Sequence, residues 1–252
     1  MRRVLLCSLG ALLLAVPAVR AYELLRVNND PCNHSARNLY WRGASVAVSD
    51  SRLPDALRQI AEQARTTWNA SLSRFRFGVG GGAACARDGV VALDVVDTPC
   101  GLDNFGDALA ITRSFWDGNG ALVDADVSFN ANSYIIDDQA AFLHVALHEL
   151  GHALGLAHSD RCGDSGAGTL MRAVLGNRPF DAPQGDDING AEAIYPSGTP
   201  SSTPSRTPSA HGGDGSVPAG ANSCAIVPPI GAGAIYLLLG AACLFVLRRR
   251  RT

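Results

Sequence analysis

Four of the six histidines in this 252-residue chain fall in one stretch, HVALHELGHALGLAHSD, which runs from His144 to Asp160. Residues four apart on an α-helix share a face, one turn above each other. His148 and His152 therefore offer two imidazoles to one point, with Glu149 beside them. This is the H-E-x-x-H spacing of catalytic zinc sites, in which the helix supplies two ligands and an acid. His158 follows six residues after His152, with Gly155 between them. Glycine can end a helix in the left-handed conformation, and the chain can then turn back so that His158 meets the same ion. Three imidazoles and a water make a tetrahedral zinc site with an open position. A chance match to all five fixed positions of H-E-x-x-H-x-x-G-x-x-H in a chain this long has odds of about one in ten thousand. His144 lies one turn before His148, where a fourth imidazole ligand would close the open position. It is read as a packing or hydrogen-bonding residue that supports the helix.

The segment HELGHALGLAH resembles the zinc motif of the metzincin metallopeptidases, and within them the matrixin type (family M10-like). Met171, in GTLMR, matches the methionine that this clan carries in a turn beneath the metal. GALVDADVSFN resembles the strand that precedes the active-site helix, and DDINGAEAIY the C-terminal helix. The resemblance implies a zinc-dependent endopeptidase that hydrolyses peptide bonds with a zinc-activated water and Glu149 as general base. It implies one catalytic zinc on His148, His152 and His158, and protein or peptide substrates. It also implies that the strand around Asp107 to Ile111 pairs with substrate backbone, through Ala108, Leu109, Ala110 and Ile111. The specificity pocket would be walled by RAVLGNRPF, after Met171.

Two departures from animal matrixins stand out. Their second, structural zinc needs further histidines upstream, where this chain has only His34, so that site is expected to be missing. Their propeptide cysteine blocks the zinc; Cys32 is the one residue here that could do so, and a disulfide is the preferred reading. Asp117, Asn119, Asp124 and Asp126 cluster in sequence and make a calcium site possible, although such a group is more often a turn with a solvated face.

These residues need a scaffold. SRLPDALRQIAEQARTTWNASL places Leu57, Ile60, Ala61, Ala64 and Trp68 on one helical face, with Ser51 or Pro54 at its start. DDQAAFLHVALHELGHALG predicts a second helix capped by Asp137 or Asp138, and DDINGAEAIY a third capped by Asp186 or Asp187. NLYWRGASVAVSD, SRFRFGV and GVVALDVV read as strands. DALAITRSFW and ALVDADVSFN read as two more, joined by the turn DGNG. The expected class is α+β: a metzincin-like domain with a twisted mixed sheet, a long helix before the sheet strands, an active-site helix and a C-terminal helix.

The chain's ends are different in kind. Residues 1–21 carry Arg2 and Arg3, a short apolar run and small residues before a cut after Ala21, the pattern of a secretory signal peptide. Residues 22–195 form the catalytic domain, expected to be monomeric. Residues 196–223 are rich in Pro, Ser, Thr and Gly and read as a linker. Residues 224–247 are a transmembrane or sorting segment, and residues 248–252 a basic tail that would face the cytoplasm. Cys224, the Gly/Ala/Leu run and the terminal arginines resemble the C-terminal sorting signals of myxobacterial surface proteins. The expected location is the cell surface, with the membrane contacted through this segment.

Charge and cysteines agree with export. Within residues 22–196, 13 arginines stand against 22 acidic residues, a net charge of −9. That balance argues against nucleic acid as a partner. Cys32, Cys85, Cys100 and Cys162 in the same region suggest two disulfides in one of three connectivities, with Cys85–Cys100 and Cys32–Cys162 favoured. The competing reading from another class is an inactive, metal-stabilised surface binding or adhesion module. Glu149 distinguishes the two, because a structural zinc site has no use for it.

Overall fold

The computed structural model describes residues 22–197 and 220–228. The expected signal peptide, most of the linker and most of the C-terminal apolar run lie outside the described residues. Among those described, no helix is long and apolar enough to cross a membrane.

The strands are β1 (Glu23–Leu24), β2 (Ser45–Ser49), β3 (Arg76–Val79), β4 (Val90–Val96), β5 (Ala110–Trp116), β6 (Leu122–Asn130), β7 (Leu156–Ala157) and β8 (Gly220–Ile226). The helices are α1 (Asp55–Ser71), α2 (Gln139–Leu154) and α3 (Gly185–Ile194). The class is α+β, as expected. The main sheet runs β3-β2-β4-β6-β5-β8. Its pairings from β3 to β6 are parallel, and β5 runs antiparallel to both β6 and β8. β1 and β7 form a separate antiparallel pair. These two short strands, and β8, carry no alternating pattern that announces them. The long helix α1 enters between β2 and β3.

α1 follows Pro54, whose fixed φ suits a helix start. Its buried residues are Leu57, Ile60, Ala61, Ala64 and Trp68, the face read from the sequence. α2 starts at Asp138, whose side chain accepts the Ala141 N–H and so satisfies one orphan donor of the first turn. From Ala141 to Leu154 every residue of α2 is buried. The helix is therefore a core element whose polar side chains must find partners in the interior. α3 is capped by Gln184; Asp187 occupies the third helical position and completes a capping box.

Buried indole and phenol groups lock the helices together. Trp68 Nε1 donates to the Leu147 carbonyl (2.8 Å), and Trp41 Nε1 to the Ala153 carbonyl (2.8 Å). Tyr195 donates its hydroxyl to the Leu154 carbonyl (2.8 Å) and accepts the Trp41 N–H (3.0 Å). α2 is thus held along its last two turns, which carry the histidines. Two disulfides, Cys32–Cys162 and Cys85–Cys100, staple the periphery in the favoured connectivity. Cys32 is accordingly not a free thiol.

Candidate functional site

α2 ends where the chemistry needs it to. Gly155 has φ of 112°, in the left-handed region, and its N–H caps the helix on the Gly151 and His152 carbonyls. A β-carbon at Gly155 would stand 2.8 Å from the Leu39 carbonyl oxygen, so strain and space both require glycine. The reversal leads into β7, whose pairing with β1 fixes Leu156 and Ala157 and delivers His158 back to the helix.

His148, His152 and His158 converge. One ring nitrogen from each lies within 4.8 Å of the others. The Nε2 atoms of His152 and His158 are 3.1 Å apart. The outward nitrogens are tethered: His148 Nδ1 donates to the Leu170 carbonyl (2.9 Å) and His152 Nδ1 to the Leu156 carbonyl (2.8 Å). Each bond fixes a tautomer with Nε2 free as an electron-pair donor. Burial, and then a neighbouring imidazole, push the pKa of both rings well below the usual value and keep them neutral. The buried Nε2 of His148 has no hydrogen-bond partner. A buried nitrogen left orphaned beside two more imidazoles fits a cation in the middle, and three imidazoles suit zinc.

Glu149 is fully buried beside this cluster. Its Oε2 lies 2.5 Å from the Thr112 hydroxyl on β5, which also stands 3.1 Å from the Glu149 carbonyl. Burial lifts the Glu149 pKa to about 8, against the Thr112 hydroxyl and backbone N–H and then the Ile226 N–H, all of which favour the charged form. Oε1 has no hydrogen-bond partner.

Met171 underlies the cluster. A β-carbon at Gly151 would overlap the Met171 sulfur, so the methionine packs directly on the α2 backbone between the first two histidines. Its turn is pinned by Asp187, which is buried and accepts the N–H groups of Leu170 (2.9 Å), Met171 (3.1 Å) and Gln184 (2.8 Å). Ser159 N–H donates to the Met171 carbonyl (2.9 Å), tying that turn to the residue after His158.

The residues expected to pair with substrate lie at the start of β5 and just before it. Ala108, Leu109, Ala110 and Ile111 are all buried, and Ala110 and Ile111 pair with Ile226 and Ala225 of β8. The acidic cluster divides. Asp117 closes the β5–β6 turn by accepting the Asn119 and Ala121 N–H groups, and it pairs with Arg42. Asp124 and Asp126 are buried in β6 and accept backbone N–H groups of residues 85–92. Among the described residues these acids do not form a three-ligand group. Such a group does occur at Glu23, His34 and Cys162, but the Cys162 sulfur is committed to its disulfide.

Sequence reasoning missed Thr112 and Asp187 as partners of the centre. Thr112 shows only as a polar residue in an apolar strand, and Asp187 only as one of two acids at a helix start.

In this α+β domain the buried helix supplies two imidazoles and a carboxylate, and the turn after β7 returns the third imidazole, so the three histidines could hold a zinc ion. Residues 94–196 match the family model described as Matrixin, so the chain carries a matrixin-like metzincin domain, of a zinc metallopeptidase family. No curated protein matches the chain.

Proposed function

We propose that this chain is a zinc-dependent endopeptidase, exported and held at the cell surface by its C-terminal apolar run. One observation carries the reading: three buried imidazoles with orphaned nitrogen beside a buried carboxylate that keeps one oxygen free. His148, His152 and His158 would hold the ion, with Met171 as the floor of the site. Zinc there supplies Lewis acidity, which lowers the pKa of a water and polarises a carbonyl.

The chain's own groups do the rest. The Thr112 hydroxyl occupies Glu149 Oε2, leaving Oε1 to take a proton from the attacking water. The same carboxyl would then pass that proton to the leaving nitrogen. β5 and the residues before it would align the substrate backbone by strand addition. Export is supported by the two disulfides and the basic-then-apolar start of the chain.

The test is digestion of a peptide library by the purified protein, with and without a chelator. Chelator-sensitive cleavage supports the assignment. A protein that binds one zinc and cleaves no peptide would be a metal-stabilised binding module instead.

A further inference from the structure

The outer edge of β5 is already occupied, and by this chain. β8 lies antiparallel along it from Ala110↔Ile226 to Trp116↔Gly220. The pairing extends past the strand: the Leu109 N–H donates to the Ile226 carbonyl (2.8 Å). On the other side Val227 runs parallel to Val174; its N–H donates to the Ala173 carbonyl (2.9 Å) and its carbonyl accepts the Leu175 N–H (2.9 Å). The segment is thus gripped between β5 and the residues that follow Met171. Ile226 is fully buried and belongs to the main apolar core.

This placement is directional. Thr112, which holds Glu149 Oε2, is the register partner of Cys224, and α2 packs against β8, so the segment runs beside the helix that carries the acid. Two backbone N–H groups approach the Glu149 carboxylate, that of Thr112 and, from this segment, that of Ile226. The latter nitrogen is that of the Ala225–Ile226 peptide bond. A hydrolase must deliver a proton to the nitrogen it expels, and here its acid faces one such nitrogen. Neither Ala225 nor Ile226 is proline, so the bond is an ordinary secondary amide; Pro228, which lacks an N–H group, follows just beyond the strand.

We propose that the chain is its own substrate: the segment from Gly220 to Val227 is threaded through the cleft and presents Ala225–Ile226 for hydrolysis. The inference rests on the endopeptidase reading above. One water is consumed. Its oxygen bonds to the Ala225 carbonyl carbon, the C–N bond breaks, and the Ile226 nitrogen leaves as an amine carrying the proton passed by Glu149. The products are a domain ending in the Ala225 carboxylate and a C-terminal piece beginning Ile-Val-Pro-Pro. The cut separates the domain from the apolar run and terminal arginines, so hydrolysis releases the enzyme from whatever that tail anchors. Until then the segment excludes other peptides, because a tethered strand competes at an effective concentration on the order of mM.

The experiment uses the full chain, loaded with zinc and mixed with a peptide library, followed by intact mass and N-terminal sequencing. The expected result is a new N-terminus at Ile226, formed at a rate independent of protein concentration, with Glu149→Gln remaining whole. Library cleavage should lag and accelerate as the tail is lost. Library cleavage by a chain intact at Ala225–Ile226, or cut elsewhere, overturns the inference and leaves the endopeptidase reading standing. Bound zinc with neither substrate cleaved overturns both. Amide exchange on zinc-free Glu149→Gln reads occupancy without activity. Leu109, Leu175 and Val227 should be protected, and adding Ile226→Asp should speed their exchange about tenfold or more while α2 stays protected. Unchanged exchange at Leu109 and Leu175 would show that the strand does not occupy the cleft, and would also overturn the inference.

Discussion

His148, Glu149 and His152 at the end of α2 are buried as completely as Asp124 and Asp126 in β6, yet the two groups are satisfied differently. Asp126 accepts the N–H groups of Cys85 (2.9 Å) and Ala92 (3.1 Å), and Asp124 that of Gly89 (3.1 Å). Two residues apart on one strand, they share a face and act as backbone staples for the loop that carries Cys85. Asp124 keeps its Oδ2 without a partner too, but alone; the α2 groups spend their outer atoms on the scaffold, and their free inner atoms, His148 Nε2 and Glu149 Oε1, sit in the histidine centre with two further imidazoles. Burial alone therefore does not mark a reactive centre. What marks it is free atoms converging on one point, held there by partners on the far side.

The sharpest break of this comparison comes at Glu149. Glu149→Gln keeps the shape and the Thr112 contact but removes the base, so kcat/KM should fall about 10³-fold, within the range for general acid–base catalysis, with one zinc still bound. Asp126→Asn should leave kcat/KM within about threefold. Steady-state assays with metal analysis on both variants decide it; a large activity loss in the β6 variant would erase the difference between the two regions.

Metal removal should separate the regions next. Zinc at about a thousand times its dissociation constant stabilises by about 4 kcal/mol, which for a domain of this size is about 10 °C in melting temperature. Chelation should lower the midpoint by that much in the wild type and in Asp126→Asn, and should leave His148→Ala unmoved. Thermal melts with and without chelator read it directly.

The β6 pair has its own signature, in pH. Burial, then the neighbouring Asp124, lifts Asp126 to about 7; burial likewise lifts Asp124 to about 6. Both lie above the ordinary carboxyl value, so the folded protein holds protons that the unfolded chain has already released. The pair's contribution to stability is complete below about pH 4 and is lost as pH rises through 6 and 7. Asp126→Asn should flatten the fall in stability between pH 5 and 8 by about 2 kcal/mol. Denaturant midpoints across that range measure it.

Legibility in the sequence followed the range of the interactions. The i,i+4 imidazoles, the glycine reversal and the buried face of α1 are local, and spacing alone locates them. Thr112 meets Glu149 across 37 residues, and Asp187 reaches Met171 across 16, through folds of the backbone that no periodicity encodes. Gly220–Ile226 was least legible. GANSCAI has no alternating pattern and straddles the expected boundary between linker and tail; its strand form comes from the β5 edge it pairs with. The aspartates of β6 read as a turn or calcium cluster because sequence proximity hides that Asp117 belongs to the turn and the other two to the interior.

His144 gives the smallest and most specific effect, since it lies on the catalytic helix but behaves like the β6 pair. Its Nδ1 accepts the Phe180 N–H at 2.7 Å, and its ring stacks on Phe180 with centroids 5.7 Å apart. It is a staple between α2 and the end of RAVLGNRPF. Accepting that bond requires an unprotonated Nδ1, and burial lowers its pKa to about 4, below the ordinary 6.5. The sign is opposite to that of the aspartates: the contribution is fully present above pH 6.5 and is lost as pH falls through 4. His144→Ala should cost about 1–2 kcal/mol at pH 7.5, with zinc content unchanged. At pH 5.5 the penalty should shrink by about 1 kcal/mol, because the wild type has by then lost part of the same contribution. Denaturant titrations at the two pH values, with zinc assayed in parallel, test both halves. Loss of zinc in His144→Ala would move this residue from the scaffold into the metal centre.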